Sequence, residues 1–370
     1  MKNKLIFTLL FVSTFLLTAC DRGQAPAPSG EVATPAPEPE KTYNWKMVTT
    51  WPPNFPIFQE GVERFAKDVS IMSKGRLDIK VYAGGELVPP LQSFDAVSQG
   101  TVELGHGAGY YWAGKIPAAQ FFTAVPFGMN AQGMNSWLYA GGGLEMWQDL
   151  YKPHNLIPFP MGNTGVQMGG WFNKKINSVK DLKGLKMRIP GLGGKVLAKA
   201  GGTPVLMAGG EIYTALERNT IDATEWVGPF HDERLGLYRA AKYYYYPGWH
   251  EPGPTLELMV NLQAWGSLPE DLKKMIEVAA ASSNIWMLAQ FEAKNLAALQ
   301  KLRDQHKVEL LPFPDEVMQE LHKLTVEVLA EEAQKDVQFK KVFDAYSQFS
   351  SENDRWNVLS EAAYQAARSK

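Results

Sequence analysis

Four polar side chains in this sequence are of types that grip small ions. Arg188 ends an otherwise apolar run, KMRIPG, which Pro190 and Gly191 stop. A guanidinium is a planar fork that holds a carboxylate through two parallel hydrogen bonds. Gln167 stands between Val166 and Met168 in GVQMGGWF, Glu225 precedes Trp226 at the end of TIDATEW, and Glu251 lies in GWHEPGP after the aromatic run 243–246. Each could also be something ordinary: a surface arginine, an outward amide in simple alternation, an exposed loop acid. Taken together, two carboxylates, an amide oxygen and a backbone carbonyl are hard oxygen donors, suited to Na+ or Ca2+ and unsuited to soft metals. An arginine nearby would repel that cation unless an anion lay between them. A small carboxylate ligand would be that anion, and the cation would relieve its repulsion from the two acids.

Other chemistries find little footing. The six histidines (His106, His154, His231, His250, His306, His322) show no close metal spacing. The single cysteine, Cys20, leaves the folded part without a disulfide or thiolate site. GLGG at 191–194 lacks the full dinucleotide pattern and reads as a turn; Glu86 and Glu103 read as solvated. A net charge of −2 offers no electrostatic case for nucleic acid. A metal-assisted enzyme acting on a 2-oxo acid remains a competing reading, but no second titratable group of obvious role stands beside the set. An organic-acid binder that works without metal, or a bracing lipoprotein, would also be consistent with this composition.

The elements that must position these groups follow from periodicity. Lys2 and Lys4 precede an apolar run over 5–17, too short to span a membrane, and then LTAC. That pattern predicts a lipoprotein signal over 1–19, cleaved before Cys20, whose sulfur is lipidated; Asp21 resembles an inner-membrane retention signal. The Pro-rich stretch that follows cannot build a core and predicts a tether up to residue 42, reaching roughly 70 Å at ~3.1 Å per residue. Strands at 45–49, 77–82 and from 101, with helices at 59–73 and 91–99, predict an α/β lobe with a largely parallel sheet. A second set follows: strands at 165–172, at GLKMRIP and at TPVLM, helices at 194–200 and 210–218, and the strand before Glu225. FDAVSQGTVELGHG (94–107) lies without a gap over YTALERNTIDATEW (213–226), so His106–Gly107 and Glu225–Trp226 are expected at matching strand ends. Ligands sit beyond the carboxyl ends of strands in open α/β sheets. A long helix over 269–306, capped by Ser267, an extended VELLPFP, and helices over 315–335 and 337–367 complete the chain.

From Tyr43 onward the chain resembles the periplasmic solute-binding subunits of tripartite ATP-independent periplasmic (TRAP) transporters. The resemblance rests on LDIKVYAGGEL, FDAVSQGTVELG, DLKGLKMRIPG and ALERNTIDATEW, in this order. It implies an α/β two-lobed clamshell of mostly parallel sheets flanked by helices, with long C-terminal helices. Lobe I would comprise 43–164 and 254–314, lobe II 165–253, and the final helices 315–370. The branch it looks closest to binds 2-oxo or 2-hydroxy acids, such as pyruvate or lactate, through Na+ or Ca2+, with no organic cofactor and no catalysis. In that branch Arg188 would grip the ligand carboxylate, while Gln167, the Glu225 side chain, the Trp226 carbonyl and Glu251 would hold the metal. Gln167 and Trp226 would also touch the ligand. Trp51, Phe55, Tyr110, Tyr111 and Trp249 would wall the pocket, although each could equally be core. Hinges are expected near 163–165 and 249–254. The partners implied are a TRAP permease, a second copy bound through the C-terminal helices, and the membrane by the lipid anchor, with the protein in the periplasm at the outer face of the inner membrane.

Overall fold

The computed structural model describes residues 40–369, so the signal segment, Cys20 and most of the tether lie outside the described residues. Eleven strands form two sheets: β1 Tyr43–Thr49, β2 Leu77–Tyr82, β3 Leu104–Gly107, β4 Leu156–Asn163, β5 Gly170–Phe172, β6 Lys186–Arg188, β7 Thr203–Val205, β8 Ala223–Thr224, β9 Tyr243–Tyr246, β10 Thr255–Asn261 and β11 Glu309–Pro312. The orders are β2-β1-β3-β10-β4 and β11-β9-β5-β8-β6-β7.

The sheets are mixed rather than mostly parallel. β1 runs parallel to β2 and β3, but β10 is antiparallel to both β3 and β4. In the second sheet β6 is parallel to β7 and β8, and β9 to β11, while β5 opposes both β8 and β9. The cause is the double crossover. β4 leaves the first sheet at the same end where β10, lying between β3 and β4, enters it, so the returning strand must run the other way. The two crossovers lie side by side: Thr164 N–H donates to the Pro254 carbonyl (3.3 Å) and Asn163 Nδ2 to Gly253 (3.0 Å).

Alternation builds the strands. In β2, Leu77 and Ile79 are buried while Asp78 and Lys80 are exposed. The helix Phe58–Met72 buries Phe58, Val62, Phe65, Ala66 and Val69, one helical stripe. Each fully buried side chain of this size contributes roughly 1.5–3 kcal/mol, more than the few tenths separating their helix propensities, so packing rather than propensity holds this helix in place.

The internal echo holds bond for bond. Gly100 (φ 74°) and Asn219 (φ 55°) take the left-handed conformation at matched positions after the helices Ser93–Ser98 and Ile212–Glu217. Thr101 N–H reaches the Ala96 carbonyl at 2.9 Å, and Thr220 N–H reaches Ala215 at 2.9 Å. Glu103 is not simply solvated: its Oε2 accepts from Lys46 N–H (2.7 Å), as Asp222 Oδ2 accepts from Lys186 N–H (2.9 Å). In each lobe an acid thus ties the incoming strand to the start of its neighbour.

Two boundaries differ from expectation. β11 pairs with β9 in the second sheet, so 309–312 leaves the stretch assigned to lobe I. Phe313 anchors it there, stacked on Tyr245 at 4.8 Å. Ser267 ends the short helix Leu262–Ser267, and Pro269 takes the N-cap of the helix Glu270–Asp304. The C-terminal helices straddle the molecule. The helix Asp315–Lys335 reaches the second lobe, where Glu331 pairs with Lys199 (2.6 Å). The helix Val337–Leu359 packs on the first lobe through Phe339 against Phe121 (4.7 Å). The last stretch is broken at Ser360 before Glu361–Arg368.

Candidate functional site

Strand direction assembles the site. β6, β8 and β9 run the same way, and β5 runs against them. Their common edge therefore holds the end of β6 (Arg188), the residues after β8 (Glu225, Trp226), those after β9 (His250, Glu251), and those before β5 (Gln167). Gln167 is not within a strand but three residues ahead of β5. Backbone bonds continue past the strand ends and fix these loops: Glu225 N–H to Arg188 (3.2 Å), Gln167 N–H to Glu251 (3.1 Å), Met168 N–H to Val227 (2.9 Å) and Gly248 N–H to Gln167 (2.9 Å). From the first lobe, Tyr110 and Tyr111 follow β3, and Trp51 and Phe55 follow β1.

Gln167, Arg188, Glu225 and Glu251 meet in one closed site, 4%, 1%, 0% and 3% exposed. Arg188 Nη1 forms an ion pair with Glu225 Oε1. Its Nη2 donates to the Tyr111 hydroxyl across the lobes (3.3 Å) and its Nε to the Met207 carbonyl (3.4 Å). Gln167 Nε2 donates to Glu251 Oε2 (2.7 Å), and the Tyr110 hydroxyl also bonds Glu251. Burial first, and then the charge of Glu225, holds the Glu251 carboxyl well above the usual carboxylate range, against Arg188, Tyr110 and Gln167. Burial works against the charge of Arg188, but the charge of Glu225 beside it outweighs burial and strengthens its hold on its proton. Burial raises Tyr110 and Tyr111, so both hydroxyls stay neutral.

Acceptors remain free. Gln167 Oε1 and Glu225 Oε2 have no hydrogen-bond partner, nor has either ring nitrogen of His250. Ligand atoms of Glu225, His250 and Glu251 all lie within 4.8 Å of one another, and His250 Nε2 is 3.5 Å from Glu225 Oε2. Buried polar atoms are almost always satisfied, so this concentration of free donor atoms fits a hard cation with its ligand. The sequence pattern did not single out His250, because its only signal was adjacency to Glu251 and its partner Glu225 comes from another loop.

The aromatic residues divide. Trp226 lies against the guanidinium of Arg188 (5.4 Å) and meets Trp51 (6.3 Å) and Phe55 (6.0 Å) edge-on from the first lobe. Trp51 and Phe55 thus reach the charged set through Trp226. Trp249 turns to Phe127 (5.9 Å) and approaches the set through His250 (5.4 Å), a bracing position rather than a wall. His106, at the strand end matching Glu225, is core: Trp51 Nε1 donates to its Nδ1 (2.7 Å), its Nε2 faces the Met161 carbonyl (3.2 Å), and burial lowers its pKa to about 4.

GLGG opens a helix, Gly191–Lys199, instead of forming a turn before one. Its glycines give room to the site: a Cβ on Gly191 (φ 64°) would sit 2.9 Å from Tyr110, and one on Gly193 2.9 Å from His250. Gly209 does the same for Trp226, whose ring a Cβ would meet at 2.4 Å. Gly209→Ala is expected to push the indole off Arg188, with a loss of roughly 1–3 kcal/mol of stability from overpacking and weaker carboxylate binding. Thermal unfolding together with calorimetric ligand titration checks both, and an unchanged ligand affinity would separate Trp226 from binding.

A clamp of Arg, amide and carboxylates at the mouth of two lobes suits capture of a small anion with its counter-ion, and comparison with known proteins agrees in kind. The family described as DctP, bacterial extracellular solute-binding protein, family 7, matches residues 47–336. A Nostoc sp. protein named a monocarboxylate 2-oxoacid-binding periplasmic protein is 50% identical over 321 residues, 87% of this chain and 88% of that one. A TRAP periplasmic solute-binding protein from Pseudoalteromonas atlantica, solved with bound sodium and pyruvate, is 45% identical with a TM-score of 0.86 over 88% of this chain and 99% of that one. One from Bordetella bronchiseptica, a mixed-occupancy dimer with calcium and picolinate in its bound site, is 39% identical with a TM-score of 0.87 over 90% of this chain and 100% of that one. The chain therefore belongs to the DctP family of bacterial extracellular solute-binding proteins, the receptors of TRAP transporters.

Proposed function

We propose that this protein captures a small monocarboxylate of the 2-oxo or 2-hydroxy acid class, together with Na+ or Ca2+, and delivers it to the membrane permease of a TRAP transporter. The observation that carries this reading is the closed meeting of Arg188, Gln167, Glu225 and Glu251, with unpartnered oxygens on Gln167 and Glu225. Arg188 would hold the ligand carboxylate, with Tyr111 fixing the guanidinium from the opposite lobe. Gln167, Glu225, Glu251 and the Trp226 carbonyl would hold the cation, whose charge offsets that of the ligand and the acids. Trp226 gives the ligand an apolar wall braced by Trp51 and Phe55. The ligands bound by the Pseudoalteromonas and Bordetella relatives are carboxylates with a second donor atom beside the carboxyl group, which is the chemistry this set suits.

Lobe closure would bend the paired crossovers at 163–165 and 249–254, where Gly165 already takes φ 69°. Anchoring through a lipidated Cys20, at the periplasmic face of the inner membrane, belongs to the same reading and rests on LTAC. So does pairing of two copies through the C-terminal helices, which leave Val337, Trp356, Leu359 and Tyr364 84%, 64%, 76% and 62% exposed.

A melting-shift screen of 2-oxo acids, 2-hydroxy acids, sugar acids and dicarboxylates, each with Na+, with Ca2+ and in chelator free of Na+, tests the function. A ligand at a hundred times its Kd stabilises by ~2.7 kcal/mol, so the melting point should rise by several degrees for a short 2-oxo or 2-hydroxy acid, and only with a cation. An equal rise with a sugar acid or dicarboxylate in chelator would favour metal-free binding of another organic acid and reject this reading.

A further inference from the structure

The turn that joins β1 to the helix Phe58–Met72 is strained, and a histidine from the other lobe holds it. Ile57 takes φ 60° and ψ −57°, and Phe58 N–H donates back to the Pro56 carbonyl at 2.6 Å. That is a γ-turn of the rare, strained hand. It falls on a buried β-branched residue, for which a positive φ is an outlier. Such backbone persists only where its surroundings over-determine it. Glu60 accepts from Ile57 N–H (3.2 Å), and His231 Nε2 donates to the same Pro56 carbonyl (2.8 Å). The imidazole, on the helix Pro229–Leu235, stands edge-on among Phe55 (4.5 Å), Phe58 (4.6 Å) and Phe291 (4.6 Å). Its neighbour Asp232 pins that helix to the second lobe, accepting from Trp171, Tyr244 and Val227 N–H.

We propose that His231 is a positioning residue that sets the length of acid the pocket accepts, by holding this turn so that Phe55 and Phe58 stand against Trp226. The inference rests on the function proposed above, in which Trp226 walls the ligand, and adds what fixes that wall. Phe55 meets Trp226 at 6.0 Å and Phe58 meets it at 6.1 Å, while the indole lies on the guanidinium of Arg188 (5.4 Å). The choice of histidine is itself informative. Its Nδ1 has no partner inside the aromatic cage, and a phenylalanine would fill the cage without burying that acceptor. What the imidazole offers over a phenyl ring is the Nε2 hydrogen at Pro56. Burial, against that bond, lowers the His231 pKa to about 3, so the ring stays neutral and is no pH switch. Without the bond, Ile57 relaxes toward an ordinary conformation and Phe55, two residues upstream, withdraws from Trp226. The indole then gains room, and a longer tail fits. Selectivity for the tail thus depends on a contact between the lobes, made by a side chain that does not touch the ligand.

Pyruvate and 4-methyl-2-oxopentanoate are titrated calorimetrically, in Ca2+ buffer, into the intact protein and into His231→Phe, His231→Gln and Phe55→Leu. The quantity read is the ratio of the two Kd values, which a general loosening of the fold leaves in place because it weakens both acids alike. His231→Phe is expected to shift the ratio about tenfold toward the longer acid. His231→Gln, whose amide nitrogen reaches where Nε2 stood, is expected to keep it within about threefold of wild type. Phe55→Leu should shift it in the same direction. The double variant of His231→Phe and Phe55→Leu should go no further than the larger single shift, because both act through one wall. A folded His231→Phe with the wild-type ratio overturns the proposal, and so does full additivity in the double variant. Where His231→Phe does not fold, a shift in Phe55→Leu with none in His231→Gln supports the proposal, and an unchanged ratio in Phe55→Leu overturns it. Wild type that binds neither acid would instead remove the functional reading itself, so the two failures are told apart.

Discussion

Arg188→Ala is expected to abolish the ligand-induced rise in melting temperature for every acid that stabilises the wild type. The guanidinium is the only group among the described site residues that carries a fixed positive charge to a carboxylate. Hydrogen bonds to charged groups are worth about 1.5–3 kcal/mol each, so losing a two-bond fork should weaken binding by roughly a hundredfold or more. The substitution also strands Glu225, which is 0% exposed. Breaking a buried pair from one side costs about 3–5 kcal/mol, and the ligand-free melting temperature should fall as well. Arg188→Lys separates the two effects. It keeps a charge beside Glu225 but loses the planar fork, so its baseline stability should lie nearer wild type while affinity stays low. A folded Arg188→Ala protein with the full ligand response would remove Arg188 from the site.

Acid stability should carry the signature of a carboxyl group away from the ligand. Glu257 on β10 receives the Trp112 indole and the Tyr151 hydroxyl (2.8 Å) and is 0% exposed. Burial outweighs both bonds and pushes its pKa up to about 7 from an ordinary 4.5. The unfolded chain gives up this proton near pH 4.5, whereas the folded chain keeps it to about pH 7. Across that window the unfolded state binds fewer protons, so stability falls as pH rises. The loss reaches about 3 kcal/mol by neutral pH. Asp232, held by Trp171 and Tyr244, is raised to about 7 from 3.8 for the same reason and adds a slope of the same sign. Chemical unfolding of wild type and Glu257→Gln from pH 4 to 8 should therefore diverge, with wild type losing ground as pH climbs. Parallel curves would mean that Glu257 is ionised in the folded protein.

Much of the fold was legible because local periodicity records burial. β2 and the helix Asp315–Lys335 coincide with their expected bounds, and Phe58–Met72 is shifted by one residue. Arg188 stood out as a charge closing an apolar strand before Pro190, and Glu225 as a carboxylate at the strand end that echoes His106. The departures share a different origin. The lack of a full dinucleotide pattern argued for a turn at GLGG, yet those residues open a helix, and they are glycines where Tyr110 and His250 occupy the space a Cβ would need. Trp249 has the composition of a pocket wall, but its ring faces Phe127. β11 follows the long helix in order, yet pairs with β9.

The chain alone determined many of the strands and helices, the unit that repeats, and the strand-end positions of Arg188 and Glu225, since each depends on neighbours a few positions away; β4, β10 and the helices Ala131–Ala140 and Gly143–Tyr151 carried no such signal. The tertiary structure decided that His250 faces Glu225, that Arg188 pairs with Glu225, and that both sheets are mixed. Pairing of charges depends on separations of a few ångströms between distant stretches of chain. Those separations are set by the two crossovers and the direction in which each strand re-enters its sheet, which no local pattern encodes.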